Sequence, residues 1–492
     1  MHEQVGAALE VETSRKPITR GAALFALAVL FSMNLLNYID RYVFAAVGPA
    51  LMKDLQLESY WFGFLGTSFI IVYTIVSPIV GWLGDRQDRR RLLAFGVGLW
   101  SVATIGTAFA TDFDQMLLAR ALLGVGEASY GVVAPTLLAD LFSVKRRGRV
   151  MGVFYLALPL GTAFGYGVGG LIDAKFGWHA AFLVVGLPGL LLAFAGLMIV
   201  NPVRGASEAR TSDRSSRRGE GNLAAVDPST DASETRPAPR PTWADYLGLV
   251  RNRTFLFNTA GMAAVTFTTG AFGHWMPTFY QRVRGMPKEN QIQIGAALAA
   301  AGIIGVLIGM RIPDRLLKVT PRAYLIWAGV AVLLAIPFGI GGLLVHSLRG
   351  SIVLMFFASV FLTSCLGPCN AVTANVVPAN QRSVGFAASI FMLHLVGDVP
   401  SPPLIGALAD RFARGTLGAS RFARFLERLG ATPIVAHHGP TNLTAGMLLI
   451  VPVLLIGGIC FLAGSRSLVR DQNRARELGG TDRDRDAEPI FH

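Results

Sequence analysis

Four ionisable residues lie in stretches of the chain that are otherwise apolar. Asp40 and Arg41 are adjacent in the first stretch, and Arg120 and Glu127 lie seven residues apart in a later one. Seven residues is nearly two helical turns, so the Arg120 and Glu127 side chains leave one helix face about 20° apart. Each charge near a bilayer centre costs roughly 2.5–3.5 kcal/mol on insertion scales. We therefore expect all four to face a protein interior or a watery cavity and to form pairs there.

Charged groups in such a cavity can link proton uptake to a change of shape. Burial disfavours the ionised form of a carboxylic acid, whereas a nearby arginine favours it. Opening or closing the cavity changes both effects, so proton binding by Asp40 or Glu127 can follow the conformation. The alternative is a static network in which Asp40 pairs with Arg120 and braces the two stretches. Arg41 leaves its helix sideways from Asp40, so we expect it to serve another partner or the cavity.

The composition is typical of a membrane protein. The chain has 492 residues, of which 52% are hydrophobic and only 15% are charged, and its mean hydropathy is +0.49. Apolar runs recur that reach the roughly 20 residues a helix needs to span a bilayer. The net charge of +13 comes largely from short loops between these runs. We therefore expect it to set the orientation in the membrane and expect no nucleic-acid partner.

The spacing of the apolar runs predicts an all-α membrane protein with twelve transmembrane helices in two six-helix bundles. The predicted order along the chain is a cytoplasmic tail (1–20), the N-terminal bundle (21–200), a polar cytoplasmic linker (201–252), the C-terminal bundle (253–464) and a second cytoplasmic tail (465–492). The linker is too polar to bury a core. The predicted spans are 21–49, 60–83, 91–110, 114–138, 150–173, 179–200, 254–281, 292–312, 322–346, 351–377, 383–410 and 442–464.

Loop charges predict that both chain termini and the linker lie in the cytoplasm. The loop 411–441 breaks this rule, because it is predicted to be external yet contains several arginines. Within it, Phe422, Phe425, Leu426 and Leu429 follow helical spacing opposite the arginines. This pattern predicts an amphipathic helix at the outer membrane surface. A solvated cap over the external mouth fits the pattern equally well.

The two halves of the chain also share a short pattern. Span five ends with Gly169 to Asp173 and span eleven with Gly406 to Asp410, each following a loop arginine (Arg147 or Arg382) at similar distance. Six spans, a linker and six related spans indicate two bundles that rock about a central site.

The loop after span two resembles the signature of the major facilitator superfamily. It reads Gly81-Trp82-Leu83-Gly84-Asp85-Arg86-Gln87-Asp88-Arg89-Arg90, with Asp88 where the signature has Gly. Asp85 would pair with an arginine or a helix N-terminus of the other bundle and latch the cytoplasmic side. The residues assigned to gating are Gly81, Asp85, Arg86, Arg89, Arg90 and Arg147. The alternative is a set of loop charges that only fixes the topology.

Further segments narrow the resemblance to the spinster-type family of this superfamily. Arg120, Gly124, Gly126 and Ala128 fit a second superfamily pattern, in which the arginine is associated with proton coupling, whereas Glu127 is outside it. The segments similar to the spinster type are Asn37 to Tyr42 in span one, Gly124 to Tyr130 with Ala134 to Thr136 in span four, Gly270 to Phe272 with Trp275 to Phe279 in span seven, and His394 to Pro402 in span eleven.

The resemblance implies a secondary transporter, since animal members of the family move sphingoid-base phosphates and lysophospholipids. It implies proton coupling through Asp40, Glu127 and Arg120. The expected substrate-binding residues are Arg41, Asn37, Arg120, Glu127, Tyr130, His394, Asp398 and Thr363. For Asn37, Tyr130 and Thr363, interhelical hydrogen bonding is an equal alternative, and for His394 a satisfied interior histidine is another.

Three functional hypotheses follow. The first is a proton-coupled transporter of an amphipathic, anionic, lipid-like substrate, acting as a monomer in a bacterial inner membrane by alternating access. The second keeps the fold but moves a small organic acid or a drug. The third is a non-transporting membrane sensor or scaffold. The sequence shows no nucleophile–base pair, phosphate loop or metal cluster, so we expect no enzyme and no cofactor, with the proton gradient as the energy source.

Overall fold

The computed structural model describes residues 19–202, 249–378, 381–436 and 439–479. Most of the predicted N-terminal tail and linker, and the end of the C-terminal tail, lie outside these residues. The N-terminal half of the described chain consists of α1 (Arg20–Ala46), α2 (Gly48–Asp54), α3 (Ser59–Arg86), α4 (Arg89–Thr107), α5 (Phe113–Leu141), α6 (Val144–Tyr155), α7 (Ala157–Phe176) and α8 (Trp178–Leu197).

The C-terminal half is also helical, with one small hairpin. Its helices are α9 (Arg253–Arg282), α10 (Ile292–Leu317), α11 (Ala323–Leu344), α12 (Leu348–Ser364), α13 (Leu366–Val376), α14 (Arg382–Met392), α15 (Ser401–Ala413), α16 (Gly415–Gly418), α17 (Arg421–Arg428), α18 (Leu443–Met447), α19 (Ile450–Ser465) and α20 (Leu468–Gly479). Strands β1 (Ile434–Ala436) and β2 (Gly439–Thr441) pair antiparallel, with Ile434 opposite Thr441.

The helices follow the predicted spans closely. In the described residues, ten helical segments are long and apolar enough to cross a membrane. The remaining two predicted spans coincide with α4 and α9, which have 19 and 30 residues. Spans five, ten, eleven and twelve are each made of two helices in sequence, namely α6–α7, α12–α13, α14–α15 and α18–α19.

Short polar side chains set where several helices begin. Each of three helices begins at a side chain that accepts a hydrogen bond from a backbone N–H in the first turn. These side chains are Thr19 for α1, Asp112 for α5 and Asn252 for α9. Such caps satisfy backbone donors that have no partner within the helix. Near the cap of α9, Asp471 of α20 accepts from the backbone and hydroxyl of Thr254 (3.0 and 2.8 Å). Burial alone raises the pKa of Asp471, but the Thr254 bonds hold it below its ordinary value.

Span eleven is interrupted where the sequence predicts a break. A π-helical segment, Leu393–Asp398, separates α14 from α15, and α15 has prolines in its first turn. Pro400 precedes Ser401, and a proline lacks the N–H that would continue the helical ladder. π-Helical turns are rare and occur frequently at functional sites. The segment carries His394 and Asp398, two of the predicted site residues.

The loop 411–441 contains the predicted short helix, α17. Ala423 and Leu426 are buried against Phe412, Ala431 and Ala445 in a small apolar cluster. Phe422, Phe425 and Leu429 are exposed on a neighbouring face (56%, 53% and 45%). The helix therefore presents apolar side chains away from the protein, an arrangement that favours the prediction of a helix at the membrane surface.

The two bundles meet at the end of the spans where α1 finishes and α3 begins, which we call the closed end. Lys288, just before α10, forms an ion pair with Asp173 at the end of α7 (2.7 Å). The amide nitrogens of Gln281 and Gln291 donate to the backbone carbonyl of Ala46 (3.3 and 3.1 Å). These contacts fasten the C-terminal bundle to spans one and five.

A related joint connects the bundles on the other side of the closed end. The backbone N–H of Tyr60, at the start of α3, donates to the Asp410 carboxylate at the end of α15 (3.3 Å). Arg414 forms an ion pair with Glu58 beside it (3.0 Å). The two Gly-x-x-x-Asp endings of spans five and eleven thus occupy equivalent joints, as expected for bundles related by internal repetition.

Glycines let the backbones approach at both joints. A Cβ on Gly170 would lie 2.2 Å from the carbonyl oxygen of Lys288. A Cβ on Gly406 would lie 2.3 Å from the carbonyl oxygen of Ser59. Both atoms are backbone, so neither can move aside as a flexible side chain would. Small residues at close helix contacts are typical of membrane bundles.

We expect Gly406→Ala to force the closed end apart. Its new methyl group would clash with the Ser59 carbonyl and weaken the joint between α3 and α15. Electron-paramagnetic-resonance distances between spin labels at Lys175→Cys and Arg349→Cys, without the native cysteines, should shift to longer values. Gly302→Ala is the matched control, because a Cβ there meets nothing within 4 Å. An unchanged distance distribution in Gly406→Ala would show that this joint does not hold the bundles together.

Candidate functional site

Asp40 is buried in the middle of the N-terminal bundle with half of its carboxylate bonded. It is 1% exposed. Thr104 of α4 donates its hydroxyl to Asp40 Oδ2 (2.6 Å). Oδ1 has no hydrogen-bond partner among the residues that the structure describes. A buried carboxylate oxygen without a donor is costly as a charge.

Arg41 and Glu127 form an ion pair between spans one and four. Both Nε and Nη2 of Arg41 donate to Glu127 Oε2, with Nε at 2.8 Å. The Glu127 side chain is 1% exposed, whereas the Arg41 side chain is 30% exposed. Glu127 Oε1 is buried and has no partner within the described chain. The expectation that Arg41 serves a partner other than Asp40 agrees with this geometry.

Three aromatic rings lie near the Arg41 guanidinium. Its central carbon lies 5.5 Å from the ring centroid of Tyr38, 5.1 Å from Phe69 and 6.0 Å from Tyr73. Cations within about 6 Å of a ring face are attracted by its quadrupole. The site therefore joins a charge and an apolar wall at the same place.

Arg120 does not form the ion pair that its position suggested. It is 2% exposed, and its central carbon lies 4.2 Å from the Phe44 ring and 4.6 Å from the Phe69 ring. Its Nε donates to the carbonyl of Leu65 (3.3 Å). In the part of the chain that the structure describes, Arg120 has no ion pair, so the static Asp40–Arg120 brace is not formed in this conformation. Phe69 touches both arginines and links them.

His394 and Asp398 form a second polar pair, on span eleven of the C-terminal bundle. Nδ1 of His394 lies 2.9 Å from Asp398 Oδ2, and the side chains are 30% and 19% exposed. A Cβ on Gly270 of α9 would lie 2.9 Å from Asp398 Oδ1. The missing side chain at Gly270 therefore leaves room for this pair beside span seven.

Tyr130 and Thr363 use their hydroxyls between helices. The Tyr130 hydroxyl donates to the Leu30 carbonyl (2.9 Å). The Thr363 hydroxyl bonds the Ser359 carbonyl of its own helix (2.8 Å) and the Ala301 carbonyl of α10 (3.3 Å). Both side chains match the interhelical alternative. Asn37 is different, because it is 4% exposed and its side-chain nitrogen has no hydrogen-bond partner among described residues.

The predicted gating residues whose side chains the structure describes make contacts within the N-terminal bundle. Arg89 is buried, pairs with Asp140 (2.6 Å) and donates to the carbonyl of Pro202 (2.6 Å), so it ties α4 to the end of α5 and to the chain that follows α8. Asp88 caps α4, and the hydrogen bond from the Arg90 side chain holds the pKa of Asp88 below its ordinary value.

The other predicted gating residues occupy the same end of the bundle. Arg86 stacks on Trp82, with 4.1 Å from its central carbon to the ring centroid, and Arg147 donates to the Ala139 carbonyl (3.1 Å). Gly81 faces Val132 of α5, whose nearest atom would lie 3.9 Å from an added Cβ. The side chain of Asp85 lies outside the described residues, so the predicted latch stays a prediction.

Sequence reasoning missed His274, which closes the site toward the closed end. It is buried on α9, 4.4 Å from the Phe62 ring centroid and 6.2 Å from that of Phe44. A Cβ on Gly66 of α3 would lie 2.2 Å from its ring. His274 sits directly before the quoted segment Trp275 to Phe279, but nothing in its spacing marked a contact with α3. We call the neighbouring rings of His274 and Phe62 the His274–Phe62 plug. Phe44 lies beside both this plug and Arg120.

This architecture defines a class of protein: a helical membrane transporter made of two bundles with a polar site inside. A family model described as Major Facilitator Superfamily matches residues 30–397. The chain is 33% identical over 499 residues to human protein spinster homolog 1, covering 94% of this chain and 86% of that protein. It is 35% identical over 421 residues to the bovine protein of the same name, covering 81% and 75%.

A solved structure shows the same fold. The match is a crystal structure of a bacterial homologue of the human lysosomal transporter spinster, in an inward-facing and unoccupied conformation. The TM-score is 0.74 at 22% sequence identity, covering 92% of this chain and 99% of that chain. The chain belongs to the spinster family of the major facilitator superfamily. The predicted fold class and the resemblance noted in spans one, four, seven and eleven are therefore confirmed.

The Arg41–Glu127 pair should show unequal effects when either partner is removed. Arg41→Gln leaves the buried Glu127 carboxylate without its partner, which typically costs about 3–5 kcal/mol. Glu127→Gln leaves an arginine that is 30% exposed and surrounded by rings, so the loss should be smaller. The double variant should be more stable than Arg41→Gln alone, because no unpaired carboxylate remains.

Thermal unfolding of the purified protein, followed by intrinsic fluorescence, gives the order of the three variants. Arg86→Gln, which removes an exposed arginine at the end of α3, is the control for loss of one positive charge. Strictly additive losses in the double variant would mean that the two side chains do not interact energetically.

Proposed function

We propose that this spinster-family transporter is proton-coupled and moves an amphipathic, anionic, lipid-like substrate by alternating access. The observation that carries the proposal is the buried cluster of Asp40, Arg41, Arg120 and Glu127. Only one ion pair forms among these four groups in the described structure. Each carboxylate keeps one buried oxygen without a hydrogen-bond donor. Intramembrane ionisable groups of this kind commonly mark proton relays and substrate pathways.

The ion pair gives a physical route to coupling. When Glu127 takes a proton, its attraction for Arg41 falls, and the partly exposed guanidinium becomes available to an anion. Binding of an anionic headgroup to Arg41 would in turn favour the protonated form of Glu127. This reciprocity is required of any two linked binding events. Asp40, held by Thr104 on one oxygen, offers a second protonation site beside the pair.

The surroundings of the two arginines favour an amphipathic substrate. Tyr38, Phe69 and Tyr73 line Arg41, and Phe44 and Phe69 line Arg120. A headgroup could meet the guanidinium while an alkyl chain packs on the rings. The substrate class that we propose is a lysophospholipid or a sphingoid-base phosphate. His394 and Asp398 would bond other polar atoms of the headgroup from the opposite bundle.

A small organic acid or a drug is the second candidate. Its support is the same cationic site, because a carboxylate alone would satisfy Arg41. A transporter with a lateral opening lined by apolar side chains would take the lipid, and one with a sealed polar cavity would take the acid. A sensor or scaffold would bind substrate without moving it.

The orientation follows from the loop charges. Most of the basic loop residues lie at the end opposite the closed end, and we propose that this end faces the cytoplasm of a bacterial inner membrane. The joints at the closed end would then shut the external side, so that the structure corresponds to an inward-facing state. We propose a monomer that uses the proton gradient and no cofactor.

Asp40→Asn and Glu127→Gln should each abolish gradient-driven transport while leaving the protein folded. Neutral side chains cannot release or take up a proton, so an imposed pH gradient has nothing to act on. Proteoliposome uptake of a fluorescent lysophospholipid, with and without the gradient, measures the effect. Asp114→Asn is the matched control, because Asp114 is an exposed acid on the same helix as Glu127. Full gradient-driven uptake by both variants would exclude these residues as coupling sites.

Arg41→Gln should weaken binding of an anionic lysolipid more than binding of its neutral analogue. A charge-assisted hydrogen bond is roughly twice as strong as a neutral one, so we expect about a tenfold greater loss for the anion, or about 1.4 kcal/mol. Isothermal titration of both ligands gives the ratio. Equal losses would assign Arg41 a structural role, and preference for a short organic acid over either lipid would favour the second candidate.

A further inference from the structure

A groove lies at the end of the N-terminal bundle opposite the closed end, which we call the termini end. It is separate from the site described above. It lies between the start of α1, the end of α5 and the start of α6, with a volume of ≈ 570 Å³. The residues that line it are Thr19, Arg20, Ala23, Leu24, Leu27, Leu141, Phe142, Ser143, Arg146, Arg149, Val150 and Val153. This volume is within the range of about 300–1,000 Å³ found for small-molecule sites.

The charged residues of the groove all have the same sign. Arg20, Arg146 and Arg149 line it and are exposed, and no acidic residue is among the lining side chains. None of the three arginines forms an ion pair with a described residue. Three cations this close repel one another unless an anion lies between them. The groove is therefore complementary to a negatively charged group.

The rest of the lining is apolar, which a free inorganic anion would not require. Ala23, Leu24 and Leu27 form one face of α1, and Val150 and Val153 form one face of α6. Leu24 and Val153 remain 49% and 40% exposed in this groove. Basic residues lie toward the start of both helices and apolar residues follow within two turns. An amphiphile with an anionic head and an acyl chain matches this order from the membrane surface inward.

The groove is distant from the Arg41–Glu127 pair. Arg20 and Arg41 are on the same helix, 41 − 20 = 21 residues apart. At a rise of about 1.5 Å per residue this is roughly 30 Å. A ligand in the groove would therefore contact neither member of the pair.

We propose that this groove binds an anionic phospholipid of the leaflet at the termini end, with the phosphate between Arg20, Arg146 and Arg149 and an acyl chain on the apolar floor. The lipid is a resident of the bilayer that bridges spans one, four and five, and it is distinct from any transported substrate. Binding needs no gradient and no turnover, so the proposal stands or falls independently of the transport function.

The test compares lipid retention by the full chain and by matched triple variants. The protein is placed in nanodiscs of phosphatidylcholine that contain a minor fraction of phosphatidylglycerol, and bound lipid is counted by native mass spectrometry. The groove variant is Arg20→Gln/Arg146→Gln/Arg149→Gln. The control is Arg311→Gln/Arg315→Gln/Arg322→Gln, which removes three exposed arginines near the same end of the C-terminal bundle. Monodisperse elution on size exclusion confirms that both variants fold.

We expect the groove variant to lose affinity for phosphatidylglycerol by about a hundredfold, since each basic residue near an anionic surface contributes about 1 kcal/mol. The control should lose much less affinity, because Arg311, Arg315 and Arg322 do not line the groove. Leu24→Asn/Val153→Asn, which keeps the arginines, should also weaken retention. The proposal would be overturned if the protein retained phosphatidylcholine as well as phosphatidylglycerol. It would also be overturned if the control lost as much affinity for phosphatidylglycerol as the groove variant.

Two further outcomes would assign the groove to another occupant. Displacement of phosphatidylglycerol by glycerol 3-phosphate at comparable concentration would make it a site for a soluble phosphate. The chain before Thr19 contains Glu3, Glu10 and Glu12. If only a variant without residues 2–18 retained the lipid, this segment would be the occupant of the groove in the full chain.

Discussion

The ion pair between Arg41 and Glu127 is the interaction on which the interior of this transporter depends. Charges in a membrane interior are stable only when they are paired or reach water. Glu127 is buried and Arg41 is partly exposed, so the pair lies at the edge of the buried interior. The pair links span one to span four.

The other charged residues of the site are held by weaker partners. Asp40 has one hydroxyl donor, and Arg120 has two aromatic rings and one carbonyl. Because neither forms an ion pair in the described structure, either could gain a stronger partner when the bundles move. Phe44 touches both Arg120 and the His274–Phe62 plug at the closed end. A change at the plug can therefore reach the charged cluster through one ring.

Much of the fold was predictable from the chain, for a physical reason. A bilayer demands about 20 apolar residues for each span and satisfies backbone hydrogen bonds only within helices or closed barrels. The observed α1, α3 and α10 accordingly begin within a residue of their predicted starts. The break in span eleven was visible as well, because proline cannot continue a helical ladder. The candidate site residues Asp40, Arg41, Arg120 and Glu127 stood out by their charge in an apolar setting.

Sequence alone determined which residues are chemically unusual, since helical periodicity and the cost of burying charge are local properties. The tertiary structure decided their partners. Arg120 and Glu127 share one helix face, but they are seven residues apart, which is about 10 Å along the helix axis. This distance keeps their side chains from pairing with each other along the helix. Glu127 instead meets Arg41 of span one, and Arg120 meets rings of α1 and α3. The two Gly-x-x-x-Asp endings were visible in the chain, but their role as paired joints between bundles depends on contacts between residues more than 100 positions apart, which no local pattern encodes.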